Sequence, residues 1–287
     1  FFTRVPPPQS DWFRLFRTSG EIWHATAERP EGPYEIHGAV LSGSRHPGTW
    51  RGHGIVNPRV YAVDGGYALF YTAYEVPWPH DDMREHIALL LSDDLWSWRD
   101  GNGGEPVLSP AAAPDAWDGK IVNNAAFVQD APPGSYCLYY RGVLDLHLKY
   151  GMGLAVSAAL EGPYERVGTG FLFDRDTSPA PHGREYRGFE DPCVWQEDGQ
   201  LHMLVKDMGY FDRPGGCHLT SADGLHWSEP DRGYYSCEHY WNEPGKLDSP
   251  QVLLAGGRPT HLFTNRLSGE RGTGFVFRIR EPRMDAE

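Results

Sequence analysis

The sequence predicts an all-β fold, a five-bladed β-propeller of four-stranded antiparallel blades. Three observations carry that expectation. A hairpin pattern recurs four times, a strand–turn–strand pattern follows each hairpin, and glycine and proline are spread along the chain rather than bunched. The 34 Gly and 24 Pro among 287 residues suit many short strands joined by turns, not long helices. Hydrophobic residues make up 40% of the chain, enough for a core.

In chain order, "FFTRV" at Phe1–Val5 aligns with "FYTAY" at Phe70–Tyr74, the second strand of a hairpin. The first unit therefore reads as incomplete, its opening strand lying upstream of Phe1, and it continues with "IWHATAERPEGPYEI". The second unit is approached by "TWRGHGIVNP", carries the hairpin "NPRVYAVDGGYALFYTAYE" from Asn57, and ends in "HIALLLSDDLWSWRD". The third repeats this order with "AWDGKIVNNA", "NAAFVQDAPPGSYCLYYRG" from Asn124 and "GMGLAVSAALEGPYERV". The fourth has "DPCVWQEDGQLHMLVKDMG" from Asp191 and "GCHLTSADGLHWSEP", and the fifth has "SPQVLLAGGRPTHLFTNR" from Ser249. In each hairpin a polar residue, often followed by Pro, precedes an apolar strand, a Gly-containing turn and a second apolar strand. The implied blades are 1–46, 47–110, 111–180, 181–240 and 241–287, all in one domain spanning 1–287. A β-sandwich with coincidental turns is the competing reading.

Charge and cysteines narrow the partners. The formal net charge of −13 disfavours nucleic acid or an anionic membrane. No apolar run approaches the ~18 residues of a membrane-spanning helix. No signal peptide is visible in a chain that begins at Phe1. Cys137, Cys193, Cys217 and Cys237 show no C-x-x-C spacing, so they read as buried thiols, with a slight lean to the cytoplasm. The compartment and the oligomeric state are otherwise left open. No H-E-x-x-H or comparable metal spacing occurs among the thirteen His.

In a propeller the innermost strands open at one mouth of the central channel. Asn57, Asn124, Glu190 or Asp191, and Asp248 or Ser249 occupy that place, which explains why "GFEDPCVW" starts a strand with two carboxylates and a proline. Candidates from second-strand ends are Tyr74, Arg141, Lys206, Asp207, Asn265 and Arg266, and Trp195 and Trp241 are possible sugar-stacking platforms. The stretches 77–84 and 174–187 are expected to rim the site.

Five blades, "S-x-D-L-x-x-W" at Ser92–Trp98 and "E-G-P-Y" at Glu31–Tyr34 and Glu161–Tyr164 resemble the furanosidase-type glycoside hydrolases. These are the arabinanase, β-xylosidase, invertase and neoagaro-oligosaccharide hydrolase group of five-bladed propellers. The resemblance implies hydrolysis of an oligo- or polysaccharide by carboxylic acid–base chemistry, with inversion preferred and no cofactor required. It also allows a calcium or other ion in the central channel. Glu190, in an E-x-P context, matches the group's general acid, and Asp191 beside it is a catalytic or sugar-binding candidate. Like charge on Asp191 and desolvation would raise the Glu190 pKa, as an acid requires. Asn123 and Asn124 stand where the group has an Asp. The resemblance puts the base either upstream of Phe1 or at Asp191, Asp248 or Asp207. Asn57, Asn123, Asn124, Arg141, Lys206, Asp207, Asp248, Arg266 and Trp195 are the implied substrate contacts. Two alternatives stay open. One is a mannoside phosphorylase, whose catalytic Asp would correspond to Asn57, with only His53, Arg59 and Lys120 to hint at a phosphate site. The other is a carbohydrate-binding propeller without catalysis.

Overall fold

A computed structural model describes residues 1–5, 12–76, 83–113, 115–131, 134–145, 149–168, 170, 172, 188–268 and 271–280. Most of 77–84 and all of 174–187, the two expected rim segments, fall outside the described residues. Strands dominate, in four sheets of three, eight, four and three strands; the eight-stranded sheet joins two antiparallel groups of four, so the strands fall in five consecutive groups.

The first group holds β1 (Phe2–Arg4), β2 (Glu21–Thr26) and β3 (Glu35–Ser42), with helix α1 (Trp12–Ser19) between β1 and β2. The second holds β4 (Ile55–Val63), β5 (Gly66–Tyr74), β6 (Glu85–Ser92) and β7 (Arg99–Asp100). In the third are β8 (Ile121–Gln129), β9 (Tyr136–Asp145), β10 (Lys149–Ser157) and β11 (Glu165–Arg166). The fourth has β12 (Phe189–Glu197), β13 (Gln200–Asp207), β14 (Gly215–Ser221) and β15 (Asp231–Tyr235), followed by helix α2 (Cys237–Trp241). The fifth has β16 (Asp248–Ala255), β17 (Arg258–Ser268) and β18 (Arg271–Arg278). The second and third groups touch through one parallel pairing, Glu85 with Ile121.

Local chemistry sets the turns. Asp198 and Gly199 both have positive φ, as do Gly256 and Gly257, and each pair makes a two-residue hairpin between strands of matching twist. The S-x-D pattern builds a second turn. Ser92 Oγ accepts the Leu95 N–H while Asp94 Oδ1 accepts those of Trp96 and Ser97. Ser221 and Asp223 repeat this with Gly224, Leu225 and His226. Trp98 and Trp227 then donate their indole N–H to Leu95 and Gly224 carbonyls, so this motif is structural.

Apolar side chains on successive positions of a strand serve different seams, because neighbours on a strand point to opposite faces. Leu69 and Tyr71 pack toward the first group with Ile22 and Leu41, whereas Phe70 packs toward the third with Phe127 and Leu138. Tyr139 and Met152 meet Val194 and Met203 of the fourth group. Trp195, Leu204 and Tyr234 meet Leu247 and Leu262 of the fifth. Contact between the fifth group and the first runs through Glu31, which accepts from Arg278 and lies 3.5 Å from His261. Trp195 is therefore core: it is buried and stacked on His202 at 5.3 Å, which corrects its reading as a sugar platform. All four cysteines are buried and free. No helix among the described residues is long and apolar enough to cross a membrane.

The shared Trp-x-Gly approach in "AWDGKIVNNA" has a packing cause. Trp117 stacks on Tyr140 at 5.7 Å, and a Cβ on Gly142 would lie 2.1 Å from its ring. Gly142→Val is expected to destabilise the protein by about 3 kcal/mol, the upper range for overpacking, read from the urea midpoint. An unchanged midpoint would show that Trp117 does not need this seat.

Candidate active site

The four inner strands β4, β8, β12 and β16 open in the same way. Their pairing with the second strand is interrupted after Val56, Asn123, Glu190 and Asp248, and the next residue is in the left-handed region. That residue is Asn57 (φ 54°), Asn124 (φ 52°), Asp191 (φ 55°) or Ser249 (φ 51°). Asn and Asp tolerate this conformation best after Gly, and a following Pro needs no ladder partner at such a bulge. The polar–Pro openings seen in the sequence are thus first a backbone requirement.

These bulge side chains bond to one another across the groups. Asn57 Nδ2 donates to Asn124 Oδ1, and Asn124 Nδ2 donates to Asp191 Oδ1. Asp191 Oδ2 accepts from the Ser249 N–H at 3.1 Å and its hydroxyl at 3.2 Å. Thr3 Oγ1 accepts the Asn57 N–H at 2.9 Å, and Thr72 Oγ1 accepts that of Asn124 at 3.2 Å. Asn57, Asn124 and Asp191 are occupied in this chain of amides and carboxylate. Burial pushes the Asp191 carboxyl up against the pull of Lys206, with Glu190 and Asp248 adding to the rise.

The residues before the bulges and their cross-strand partners form a second layer: Asn123 with Arg141, Glu190 with Lys206, and Asp248 with Asn265. Each cation reaches the carboxylate of the following group. Arg141 Nε lies 3.1 Å from Glu190 Oε1, and Lys206 Nζ lies 3.0 Å from Asp248 Oδ1 and 3.3 Å from Glu190 Oε2. Burial raises the Glu190 pKa, but Arg141 and then Lys206 outweigh it, so the carboxyl is held below its ordinary value of 4.5. The sequence-based expectation had the opposite sign, because it counted Asp191 and desolvation but not the two cations. The same carboxylates hold the Lys206 ammonium more firmly protonated than usual, against the effect of burial.

Two residues that the sequence did not single out complete the layer. Glu85, at the start of β6, is buried and accepts from Asn123 Nδ2 at 2.6 Å. Burial raises its pKa although Arg17, Asn123, Arg141 and Tyr74 all oppose the rise. Arg17, delivered by α1, has its guanidinium 5.9 Å from the centre of the Tyr74 ring. Tyr74 is buried, and its phenol is pushed up by burial and by Glu85. A carboxylate heading the apolar run "EHIALLLS" was the one available signal for Glu85; nothing marked Arg17.

Two expected site residues serve loops instead. Asp207 accepts from the N–H groups of Gly209, Tyr210 and Phe211, so both its oxygens fix the turn after β13. Arg266 donates to Glu243 Oε2 at 2.6 Å and to the Pro244 carbonyl at 2.9 Å, bracing the segment that leads into β16.

Among the described residues no three His, Cys, Asp or Glu side chains converge to hold a metal. Arg59 is buried, and its charge opposes the rise that burial gives the Asp191 carboxyl, the Tyr61 phenol and the Cys193 thiol.

No protein-family model and no curated protein matches the chain. Solved structures do match it. A family 117 glycoside hydrolase from the marine bacterium Zobellia galactanivorans superposes with TM-score 0.65 at 17% identity, covering 91% of this chain and 70% of that one. A thermostable family-43 glycoside hydrolase gives 0.64 at 14% identity, over 93% of this chain and 84% of that one. An endo-arabinase from Bacteroides thetaiotaomicron gives 0.60 at 15% identity, over 93% and 87%. The chain thus has the all-β fold of these glycoside hydrolases.

Removing the shared cation tests the layer. Lys206→Met leaves Asp248 without its cation and Glu190 with Arg141 alone; both carboxylates are half-buried, so it should cost about 2 kcal/mol in urea unfolding at neutral pH, between the limits for exposed and buried pairs. Glu190 also gives a pH signature. With its folded pKa lowered, the stability it contributes is present above 4.5 and is lost as pH falls through the lowered value. Wild type should therefore lose stability below that pH more steeply than Glu190→Gln; parallel pH curves would contradict the ion-paired assignment.

Proposed function

We propose that the chain is a five-bladed propeller glycoside hydrolase that cleaves a glycosidic bond in an oligo- or polysaccharide. The observation that carries this reading is the half-buried Glu190, paired with Arg141 and Lys206 beside Asp248 at the openings of adjacent inner strands, in a fold shared with glycoside hydrolases. Glu190 is assigned as the general acid, Asp248 as a carboxylate that orients water or a sugar hydroxyl, and Arg141 and Lys206 as hydroxyl-binding groups. Asn123 adds an amide at the same level. Inversion is the expected stereochemical outcome.

The acid role sets a requirement. Glu190 is ionised in the sugar-free protein, yet it must carry a proton to donate to the glycosidic oxygen. Lys206 provides the means, since it already touches both carboxylates: moving fully to Asp248 weakens the positive field on Glu190. A bound sugar ring also excludes water, which pushes a carboxyl up. The basic limb of kcat/KM, which reports the free protein, should then lie at lower pH than the basic limb of kcat, which reports the complex.

A second reading has one observation in its favour. Ion pairing of Glu190 also fits a carbohydrate-binding propeller without turnover. The phosphorylase alternative gains nothing, because the Asn57 amide is engaged with Asn124. Aryl glycosides and oligosaccharides, with and without phosphate, discriminate among the three. Hydrolysis without phosphate that falls about 10³-fold in Glu190→Gln, with sugar affinity retained, is the expected result. Sugar binding with no turnover would move the protein to the binding class, and turnover indifferent to Glu190 would overturn the site.

A further inference from the structure

Glu85 puts a carboxyl where the fold does not need one. It opens β6, opposite Tyr74 of β5, and pairs with Ile121 of β8 where the second and third groups join. Tyr74 and Ile121 belong to an apolar cluster with Val56, Met83 and Val143, and Glu85 itself is 1% exposed. The join is already made by backbone, since the Glu85 N–H donates to the Lys120 carbonyl at 3.4 Å. Elsewhere on this side of the mouth, neutral threonines serve: Thr3 and Thr72 accept the bulge N–H groups. A carboxyl buried among apolar side chains is costly unless polar partners answer it.

Four side chains from four elements do so. Arg17 comes from α1, Tyr74 from β5, Asn123 from β8 and Arg141 from β9, and each favours the ionised form against burial. Asn123 Nδ2 donates to Glu85 at 2.6 Å. Asn123 and Arg141 are cross-strand partners, so their side chains project to one side of the sheet. Arg141 Nε in turn lies 3.1 Å from Glu190 Oε1. Arg17 is seated as firmly. The Gly54 N–H donates to its carbonyl at 2.8 Å, and a Cβ on Gly54 would run into the Phe16 and Arg17 carbonyl oxygens.

We propose that Glu85 is a positioning residue for Glu190: it fixes the Asn123 amide and divides the Arg141 guanidinium between two carboxylates, so that Arg141 is not committed to Glu190 alone. The string of alternating charges then begins at Arg17 and runs through Glu85, Arg141, Glu190 and Lys206 to Asp248. Glu190 faces the cations Arg141, Lys206 and Lys246, with Asp191 as the neighbouring carboxyl. A proton donor cannot stay that firmly ionised, and Glu85 offsets the first of the three cations. The inference rests on Glu190 as the acid and adds a buried residue that acts on it through Arg141 without touching sugar.

Glu85→Gln and Glu85→Asp separate charge from shape. Gln keeps the length and an acceptor for Asn123 but removes the charge; Asp keeps the charge on a side chain one methylene shorter. The Glu190 carboxyl would be titrated by carboxyl-carbon NMR in wild type and both variants, its signal assigned by its loss in Glu190→Gln. The pH dependence of kcat/KM would be followed on the aryl glycoside that wild type hydrolyses. In Glu85→Gln the Glu190 midpoint and the basic limb of kcat/KM should both move to lower pH by about one unit, because the full field of Arg141 falls on Glu190. In Glu85→Asp both should stay at the wild-type position. The coupling is reciprocal, so the Glu85 midpoint should fall by the same amount in Glu190→Gln, a reading that does not require the Glu85 variants to fold. A purely structural carboxyl predicts the reverse order, Gln tolerated and Asp damaging, and that order would overturn the inference. So would a Glu190 midpoint unmoved in folded Glu85→Gln or a Glu85 midpoint unmoved in Glu190→Gln. Midpoints that move in a protein with no turnover on any glycoside would leave the coupling standing and overturn the acid role of Glu190.

Discussion

One backbone constraint organises the mouth of this molecule: the left-handed residue at the head of each of four inner strands. It costs an ordinary side chain roughly 1–2 kcal/mol, so Asn, Asp and, once, Ser fill it. Because the four bulges sit at equal depth, their short polar side chains come within bonding distance of the next group. The chain Asn57, Asn124, Asp191 and Ser249 results, and Thr3 and Thr72 tie it to the second strands. That chain fixes how the groups sit against each other where their apolar seams end.

The charged layer inherits its geometry from this one. The residue before each bulge pairs with the second strand of its own group, and that partner faces the first strand of the following group. In the first two groups the facing residue is a threonine that accepts a backbone N–H; in the next two it is Arg141 or Lys206, which meets a carboxylate. One half of the mouth is therefore a neutral hydrogen-bonded joint and the other a string of alternating charges. In a poorly solvated setting each such charge is tolerated only because its neighbour is present. Glu190 sits between two cations and Lys206 between two anions, so protonation of either is a property of the whole string.

The fold was legible because hairpins, Gly turns and the S-x-D turn are local, and each recurs with its own hydrogen bonds. The place of Glu190 at the head of a strand was legible for the same reason, since the start of that strand could be read. The bulge shifts meaning by one residue, and sequence spacing does not show it. Asp191, Asn57 and Asn124 look like a row of sugar contacts but bond to one another. Asp207 and Arg266 carry the right charges at strand ends, yet their partners lie a few residues away in loops. Glu85 and Arg17 went unnoticed because what makes them part of the site is contact with residues more than thirty positions distant, Asn123 for one and Tyr74 for the other. The sign of the Glu190 shift failed likewise, since Arg141 belongs to a different group.

The cross-group pairing of cation and carboxylate constrains how the repeat can diverge. A unit copied into its neighbour's place brings its own second-strand residue but not the partner that residue meets next door. Arg141 and Glu190 belong to different repeats, as do Lys206 and Asp248, so a change of charge at one position is tolerated when the adjoining repeat changes with it. Inheritance at this mouth therefore runs in pairs that straddle the repeat boundary, and the smallest exchangeable piece of the site is half of one repeat joined to half of the next.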